Sequence, residues 1–340
     1  MRRRKAIRPG ELVRKYWFLF GILGCILLAE LAPSLGASGG PLAPEVTVKY
    51  GAIAVIFFLS GMSLNIVDMK RAVVQFKLHA FIQLFTFLFV PLCVRLITFA
   101  LKLFGINEWV LKGLITVSVM PPPVSTAVIL TKAVGGNEAG AVFNSALGSF
   151  LGIIVTPLCL LLFLGSSTVV PFRSTIVQLG VTVVIPLLVG QAVRAIGMLH
   201  HTDLPTSEIG QVALLLIIYT TFCDAFLEHD AGMDPVDILV TVMLVVIIQL
   251  LLMYLAWNIS GLTKMFSTPD RAAITFCCSH KSLTLGIPIL RILFAGYSHF
   301  SSISLPLLVY HPAQIIIGSL LVSEMREWIR THQKRSFLPP

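Results

Sequence analysis

A histidine and a lysine stand inside an apolar stretch, because the sequence CCSHKSLTLG at 277–286 lies in a segment running from about 271 to 294. If this segment spans a membrane, a central lysine costs roughly 2.5–3.5 kcal/mol on insertion scales, so it should face a cavity or a partner rather than lipid. Lys281 is therefore a candidate binding group for an anion, and His280 is a candidate proton carrier, because an unperturbed histidine side chain titrates near neutral pH. Two structural interpretations stay open: Lys281 extends toward the membrane surface, or it pairs with an acid such as Asp224 and only holds helices together.

A second polar interruption occurs in the sequence MPPPVSTA at 120–127. The consecutive Pro121, Pro122 and Pro123 remove backbone donors and disfavour helical geometry before them, so a helix should break there. Backbone groups without helical partners are tolerated inside a membrane only where they contact protein or line a cavity, so the break could form a binding site. The alternative is a simple helix kink that forms no binding site. With a matching polar break around 279–282, we favour two broken helices that cross at one site. The polar residues assigned to this candidate substrate site are Lys281, His280, Ser279, Ser282, Thr284, Ser125, Thr126, Asn144, Asp224, His311 and Gln314. An alternative role for Asn144 and Gln314 is hydrogen bonding between helices alone.

The composition indicates a membrane protein, because 56% of the residues are hydrophobic, 12% are charged and the mean hydropathy is +0.90. A soluble domain carries roughly 25% charged residues. A bilayer core of about 30 Å needs about 20 mostly apolar residues per helix, and the chain supplies such windows one after another. They lie near 16–35, 46–65, 78–101, 109–132, 141–164, 174–196, 209–227, 236–258, 271–294 and 302–323. We predict an all-α polytopic membrane protein with ten transmembrane helices, segments 1 to 10.

Most of the 25 Lys and Arg residues fall in loops that become cytoplasmic when the basic stretch 1–15 is placed inside. Short cytoplasmic loops carry the excess of Lys and Arg, so we expect cytoplasmic tails at 1–15 and 324–340. The net charge of +9 then reflects topology rather than affinity for nucleic acid. A cleaved signal peptide is the alternative for the first apolar run, which exceeds the usual length of about 7 to 15 residues.

The two halves of the chain show a faint internal similarity. Segment 3 contains FIQLFTFLF and segment 8 contains IIQLLLMYL, so Gln83 and Gln249 match in a division into five plus five segments. The fourth segment of each half is the interrupted one. An odd number of spans inserts the second copy upside down, which predicts inverted repeats at 16–165 and 166–323, with segments 4 and 9 as broken crossing helices.

The cysteines and the acidic loop do not indicate a catalytic or metal-binding site. The six cysteines lie in apolar segments without a CxxC motif, which is typical of buried small hydrophobes and indicates neither a disulfide framework nor a zinc site. The acidic loop 227–237 lacks the DxDxDG order of a calcium site, and we interpret it as solvated. We expect no catalytic residue, cofactor or bound metal, and an intramembrane enzyme using Cys277 and His280 is the least supported alternative.

Four longer stretches carry a resemblance: MPPPVSTAVILTKAVGGNEAGAVFNSALGSFLG, YTTFCD, SHKSLTLGIP and VYHPAQIIIGS. On these stretches the chain from about Tyr16 to Val322 resembles the sodium/bile acid cotransporter family (solute carrier family 10), in particular its divergent seventh branch. The resemblance implies a bile acid:sodium symporter-like fold, with a panel domain of segments 1, 2, 6 and 7 and a core domain of the remaining segments. It also implies that segments 4 and 9 cross at the substrate and ion sites.

The residues that the resemblance assigns to sodium binding are mostly replaced. Coupled relatives have a Ser-Asn pair after the break of segment 4, where this chain has Ala127 and Val128. They have a glutamate and a glutamine in segment 9, where this chain has Cys277 and Lys281. Because an ammonium group opposes a second cation, we expect no sodium coupling, with Lys281 taking over the electrostatic role of the ion. The ion-site remnants that the resemblance implies are Gln83, Ser145 and Ser149.

Two functional classes follow from the resemblance. The first is a secondary transporter of a small organic, anionic solute, in a branch linked to control of cellular calcium influx and to secretory-pathway and glycosaminoglycan homeostasis. The second is a non-transporting membrane regulator of calcium entry, whose partners would be components of that entry. Either would be a multi-pass protein of the plasma membrane, the Golgi or the endoplasmic reticulum, embedded in the lipid bilayer.

Overall fold

The computed structural model describes residues 9–63, 75–164, 177, 180–196, 205–227, 235–262, 265–294 and 299–336, and within them all regular structure is helical. The helices are α1 Pro9–Leu31, α2 Ile53–Ser63, α3 Phe76–Lys102, α4 Glu108–Ser118, α5 Val124–Val134, α6 Glu138–Leu164, α7 Ile185–Ile196, α8 Thr206–Leu227, α9 Pro235–Leu262, α10 Thr268–Ser279, α11 Leu283–Leu293 and α12 Phe300–Ser336. Turns of π-helix cover Thr47–Ala52 before α2, Phe85–Phe89 inside α3 and Gly180–Val184 before α7, and short helical turns at Pro33–Gly36 and Pro44–Val46 join α1 to α2.

Five helical stretches of the described chain are long and apolar enough to cross a membrane: α3, α6, α9, the α10–α11 pair and α12. The α10–α11 stretch differs from the others, because 94% of its most apolar window is buried inside the protein, against 33–44% elsewhere. A helix that faces lipid leaves apolar side chains exposed, whereas α10 and α11 do not. These two helices therefore lie at the centre of an all-helical polytopic membrane protein.

Within the described residues, each predicted segment overlaps one helix or a pair of helices, and segments 4 and 9 overlap the pairs α4–α5 and α10–α11. The main difference is at the C-terminus, where α12 continues to Ser336 instead of ending near 323. The predicted cytoplasmic tail is thus helical to Ser336, where Ile329 is buried and Trp328 packs edge-on against Trp257, with 4.7 Å between ring centroids. Residues 1–8 of the N-terminal tail and 228–234 of the acidic loop lie outside the described residues.

Local sequence signals set the helix ends near the two interrupted segments. Asn107 caps α4 by accepting a hydrogen bond from the backbone N–H of Trp109 at 3.0 Å. Ser267 and Asp270 form a capping box at the start of α10. Gly135 ends α5 with φ of 80°, a left-handed conformation that glycine adopts without steric cost.

The helices pack as two groups. The first group contains α1, α2, α7 and α8, the second contains α3 to α6 and α9 to α12, and α8 contacts both α11 and α12. This division has the same membership as the panel and core domains that the resemblance implied. Within the first group, a Cβ at Gly61 or Gly190 would collide with the main chain of the facing helix, so these glycines allow α2 and α7 to approach closely.

Candidate functional site

The two helix breaks face each other. The segment of three prolines separates α4 from α5, and His280 and the two residues after it separate α10 from α11. The backbone N–H of Ser282 donates to the carbonyl oxygen of Pro121 at 2.8 Å, which joins one break to the other. Both breaks occur where the sequence predicted them.

Lys281 provides hydrogen bonds to the carbonyl groups that the first break leaves without helical partners. Its Nζ donates to the carbonyl oxygens of Ser118 at 2.9 Å and Met120 at 3.0 Å, and the side chain is fully buried. The carbonyl oxygen between them, that of Val119, accepts from Thr156 Oγ1 on α6 at 2.8 Å. Because buried carbonyl groups need partners, these contacts explain how an interrupted helix persists at this depth.

The second break is held by α12. Gln314 Oε1 accepts from the backbone N–H of Lys281 at 2.7 Å, and its Nε2 donates to the Lys281 carbonyl oxygen at 3.0 Å. Tyr310 donates its hydroxyl to the carbonyl oxygen of Ser279 at 2.7 Å. His311 Nδ1 lies 3.2 Å from Gln314 Nε2, so this predicted site residue also belongs to the cluster.

Two of the interpretations left open for Lys281 are wrong. Asp224 pairs with Arg291, at 2.7 Å between Oδ2 and Nη2, and not with Lys281. Lys281 also does not extend to the membrane surface, because its ammonium group bonds two backbone carbonyl groups in the interior. The Lys281 side-chain nitrogen therefore lies at the C-terminal end of α4, where the helix dipole is negative.

His280 links the second break to α5. Its ring is fully buried, with Nδ1 3.4 Å from Thr126 Oγ1, while Nε2 has no hydrogen-bond partner within the described part of the chain. Ser125 lies beside Thr126 in the first turn of α5, which starts at Val124 after a proline that provides no side-chain cap. His280, in the second break, and Thr126, on α5 after the first break, thus provide a further contact between the two breaks.

Ser282 and Thr284 lie at the start of α11. Ser282 Oγ caps the helix by accepting from the backbone N–H of Leu285 at 3.3 Å, and it lies 3.1 Å from Thr284 Oγ1. Thr284 is exposed, whereas its neighbours on both sides are buried. Among the predicted site residues whose burial is described, Thr284 is the exposed one.

Asn144 belongs to a separate polar cluster between α3 and α6. Gln83 Nε2 donates to the Asn144 carbonyl oxygen at 3.0 Å and to Oδ1 at 3.2 Å, and Asn144 Nδ2 lies 2.9 Å from His79 Nδ1. The sequence interpretation missed His79, although it stands four residues before Gln83 and so on the same face of α3. Gln83 Oε1 is buried without a hydrogen-bond partner among the described atoms.

The remaining ion-site remnants lie beside a cysteine. Ser145 Oγ is 3.9 Å from Cys277 Sγ, which also lies 3.9 Å from the carbonyl oxygen of Ala141. Ser149 is buried one turn further along α6. Across the described chain, no three His, Cys, Asp or Glu side chains are grouped as a metal site would require.

Known proteins resemble this chain over nearly its whole length. Sodium/bile acid cotransporter 7 of Xenopus tropicalis is 53% identical over 95% of each chain, and that of Rattus norvegicus is 54% identical over 96% of this chain and 97% of its own. The solute carrier RCH1 of Candida albicans is 26% identical, over 94% of this chain and 90% of its own. Residues 16–327 match the sequence model of the SBF-like CPA transporter family, and the chain accordingly belongs to this family of membrane transporters.

Proposed function

We propose that the chain is a secondary transporter of an organic, anionic solute and that it works without a coupled sodium ion. The observation that carries this proposal is the buried ammonium group of Lys281, bonded to two backbone carbonyl oxygens at the meeting point of the two helix breaks. An ammonium group held by backbone oxygens supplies the charge that a bound cation would supply. It does so without an ion gradient.

The architecture proposed with this function is ten transmembrane helices in two inverted repeats, 16–165 and 166–323, with both termini cytoplasmic. Support comes from the positions of the breaks, each of which interrupts the fourth segment of its half. In transporters built from inverted repeats, such interruptions form the solute site near the middle of the membrane. Glycosylation and accessibility mapping would test the orientation directly.

An anion is the solute that the electrostatics favour. Lys281 compensates the negative C-terminal end of α4, while α5 and α11 begin at the same crossing with their positive N-terminal ends. The start of α5 has no side-chain cap, and uncapped N–H groups at a helix start are typical binding groups for an anion. Thr284 adds an exposed hydroxyl at the start of α11. Together these features would attract and orient a carboxylate, sulfate or phosphate group.

Loss of sodium coupling is supported by the side chains that stand at the family's ion positions. Ala127 and Val128 offer no side-chain oxygen, and Cys277 contacts Ser145 and a backbone carbonyl group. Gln83 Oε1 is one side-chain oxygen at these positions that has no hydrogen-bond partner among the described atoms. Hard cations prefer several oxygen ligands, and this set leaves few.

We further propose, from the family branch, a role in control of calcium influx and in secretory-pathway and glycosaminoglycan homeostasis, at the plasma membrane, the Golgi or the endoplasmic reticulum. The second candidate function is a regulator of calcium entry that transports no solute. The observation in its favour is that Lys281 is fully buried and already bonded, as a purely structural group would be.

Uptake by purified protein in liposomes separates the two functions. A panel of labelled organic anions, including a bile acid, is tested with sodium outside or with choline in its place. We expect saturable uptake of at least one anion that is unchanged by choline. Uptake that requires sodium would contradict the proposed mechanism, and absence of uptake across the panel would favour the regulator.

A further inference from the structure

An ion pair connects the two helix groups where α8 and α11 end. Asp224 is on α8, in the first group, and Arg291 is in the last turn of α11, in the second. The Nη2 and Oδ2 atoms are 2.7 Å apart, and the side chains retain 18% and 21% of their exposure. Asp224 is one of the residues predicted at the solute site, and in the structure its charged partner is Arg291.

Both members of the pair make further contacts across the same junction. Asp224 Oδ1 accepts from the backbone N–H of Ser38 in the α1–α2 connection at 2.6 Å. Arg291 Nη1 lies 3.5 Å from Thr221 Oγ1, and its guanidinium carbon is 5.5 Å from the ring centroid of Phe300 at the start of α12. The pair therefore joins α8, α11, α12 and the α1–α2 connection at one end of the molecule.

Two other ion pairs are local and provide a comparison. Glu108 and Lys112 pair at 3.1 Å within α4, and Lys132 and Glu138 pair at 2.8 Å between α5 and α6. Neither links one helix group to the other. The Asp224–Arg291 pair is thus placed to respond to movement of the first group against the second.

We propose that Asp224 and Arg291 form the gate of the solute pathway at the end of the molecule opposite the cytoplasmic tails. This inference rests on the proposed function, because a gate presupposes movement of solute between the two groups. The pair keeps about a fifth of its exposure, so both charged groups regain water directly when they separate. Thr221, one turn before Asp224 on α8, is buried beside Arg291, so the closed pair shields it from solvent.

The test measures access to a cysteine beneath the gate. Thr221→Cys is introduced after Cys25, Cys93 and Cys159 are replaced by alanine, and its reaction with a membrane-impermeant thiol reagent is followed on each side of the membrane. Rates are corrected with the same protein lacking Thr221→Cys. Two variants each remove one charge of the ion pair: Asp224→Asn and Arg291→Gln. The matched control is Glu108→Gln, which removes an ion pair that stays within one helix.

We expect each gate variant to raise the labelling rate from the non-cytoplasmic side about fivefold, equivalent to about 1 kcal/mol in the closing equilibrium. The exchanged pair Asp224→Arg with Arg291→Asp should label more slowly than either neutralised variant, but not as slowly as the parent, because the bond from the Ser38 backbone N–H is lost. The proposal is overturned if neither neutralisation changes labelling, if Glu108→Gln raises it equally, or if the exchanged pair stays fast. Labelling needs no known solute, so a failure of the gate is distinguishable from a failure to find transport.

Discussion

Replacing Lys281 with methionine tests the central contact of the site. The substitution keeps an apolar stem but removes the ammonium group, so the carbonyl oxygens of Ser118 and Met120 lose their donor. An unpaired buried acceptor costs about 1–3 kcal/mol, so two of them cost about 2–6 kcal/mol. Removing a buried charge returns part of this free energy, because burying an ammonium group is itself unfavourable. We expect a net loss of about 2–4 kcal/mol in the free energy of unfolding.

Thermal unfolding of the purified protein in detergent measures this loss. At roughly 2–4 °C for each kcal/mol, the Tm of Lys281→Met should fall by about 5–15 °C. The matched control is Lys132→Met, in which the lysine pairs with Glu138 while 68% of its side chain is exposed. An exposed pair contributes at most about 1 kcal/mol, so the Tm of this control should hardly move.

The functional half of the experiment is performed at a temperature where both variants remain folded. Lys281→Met should lose anion uptake, Lys132→Met should keep it, and Lys281→Arg should retain only part because the guanidinium group is larger and planar. A Tm for Lys281→Met equal to that of the control would refute the two carbonyl contacts. A folded Lys281→Met protein with full uptake would show that the charge has no role in handling the solute.

Three further outcomes are expected. Replacing sodium with choline should leave solute flux or calcium entry nearly unchanged, because Ala127 and Val128 provide no side-chain ligands, and a steep saturable sodium dependence would contradict this. Asn258, in the sequence Asn-Ile-Ser near the predicted cytoplasmic end of α9, should carry no glycan, and a mass shift with glycosidase would overturn the predicted orientation. Gln314→Leu should lower the Tm by a margin similar to Lys281→Met, since both backbone groups of Lys281 lose partners, and an unchanged Tm would count against those bonds.

The positions of the helices and their breaks could be predicted because their causes are local. Long apolar windows follow from the thickness of the bilayer, and the break before α5 follows from the missing donors of consecutive prolines. The partners of Lys281 could not be predicted in the same way. Its acceptors are the backbone carbonyl groups of Ser118 and Met120, and every residue has such a group, so no side-chain pattern identifies them.

Contacts between residues far apart in the chain also could not be predicted from the sequence. Asp224 and Arg291 are 67 residues apart, and charge alone made Lys281 an equally reasonable partner for the acid. The cluster around Asn144 was partly predictable, because the spacing of His79 and Gln83 already places both on one face of α3. Asn144 contacts these two residues, and not the two helix breaks, because α3 packs on α6. That packing could not be predicted from the sequence.

The hydrogen bonds between the two breaks indicate which parts can move. Separating α4 and α5 from α10 and α11 would break the bond from Ser282 to Pro121 and both bonds from Lys281 Nζ, leaving buried carbonyl groups without partners. At about 1–3 kcal/mol for each unpaired group, this separation is costly in a low-dielectric interior. The two helix groups, in contrast, meet mainly through α8, where the Asp224–Arg291 pair can separate and regain water. We therefore expect the crossing to move as a unit, with the solute path opening between the groups instead of through the breaks.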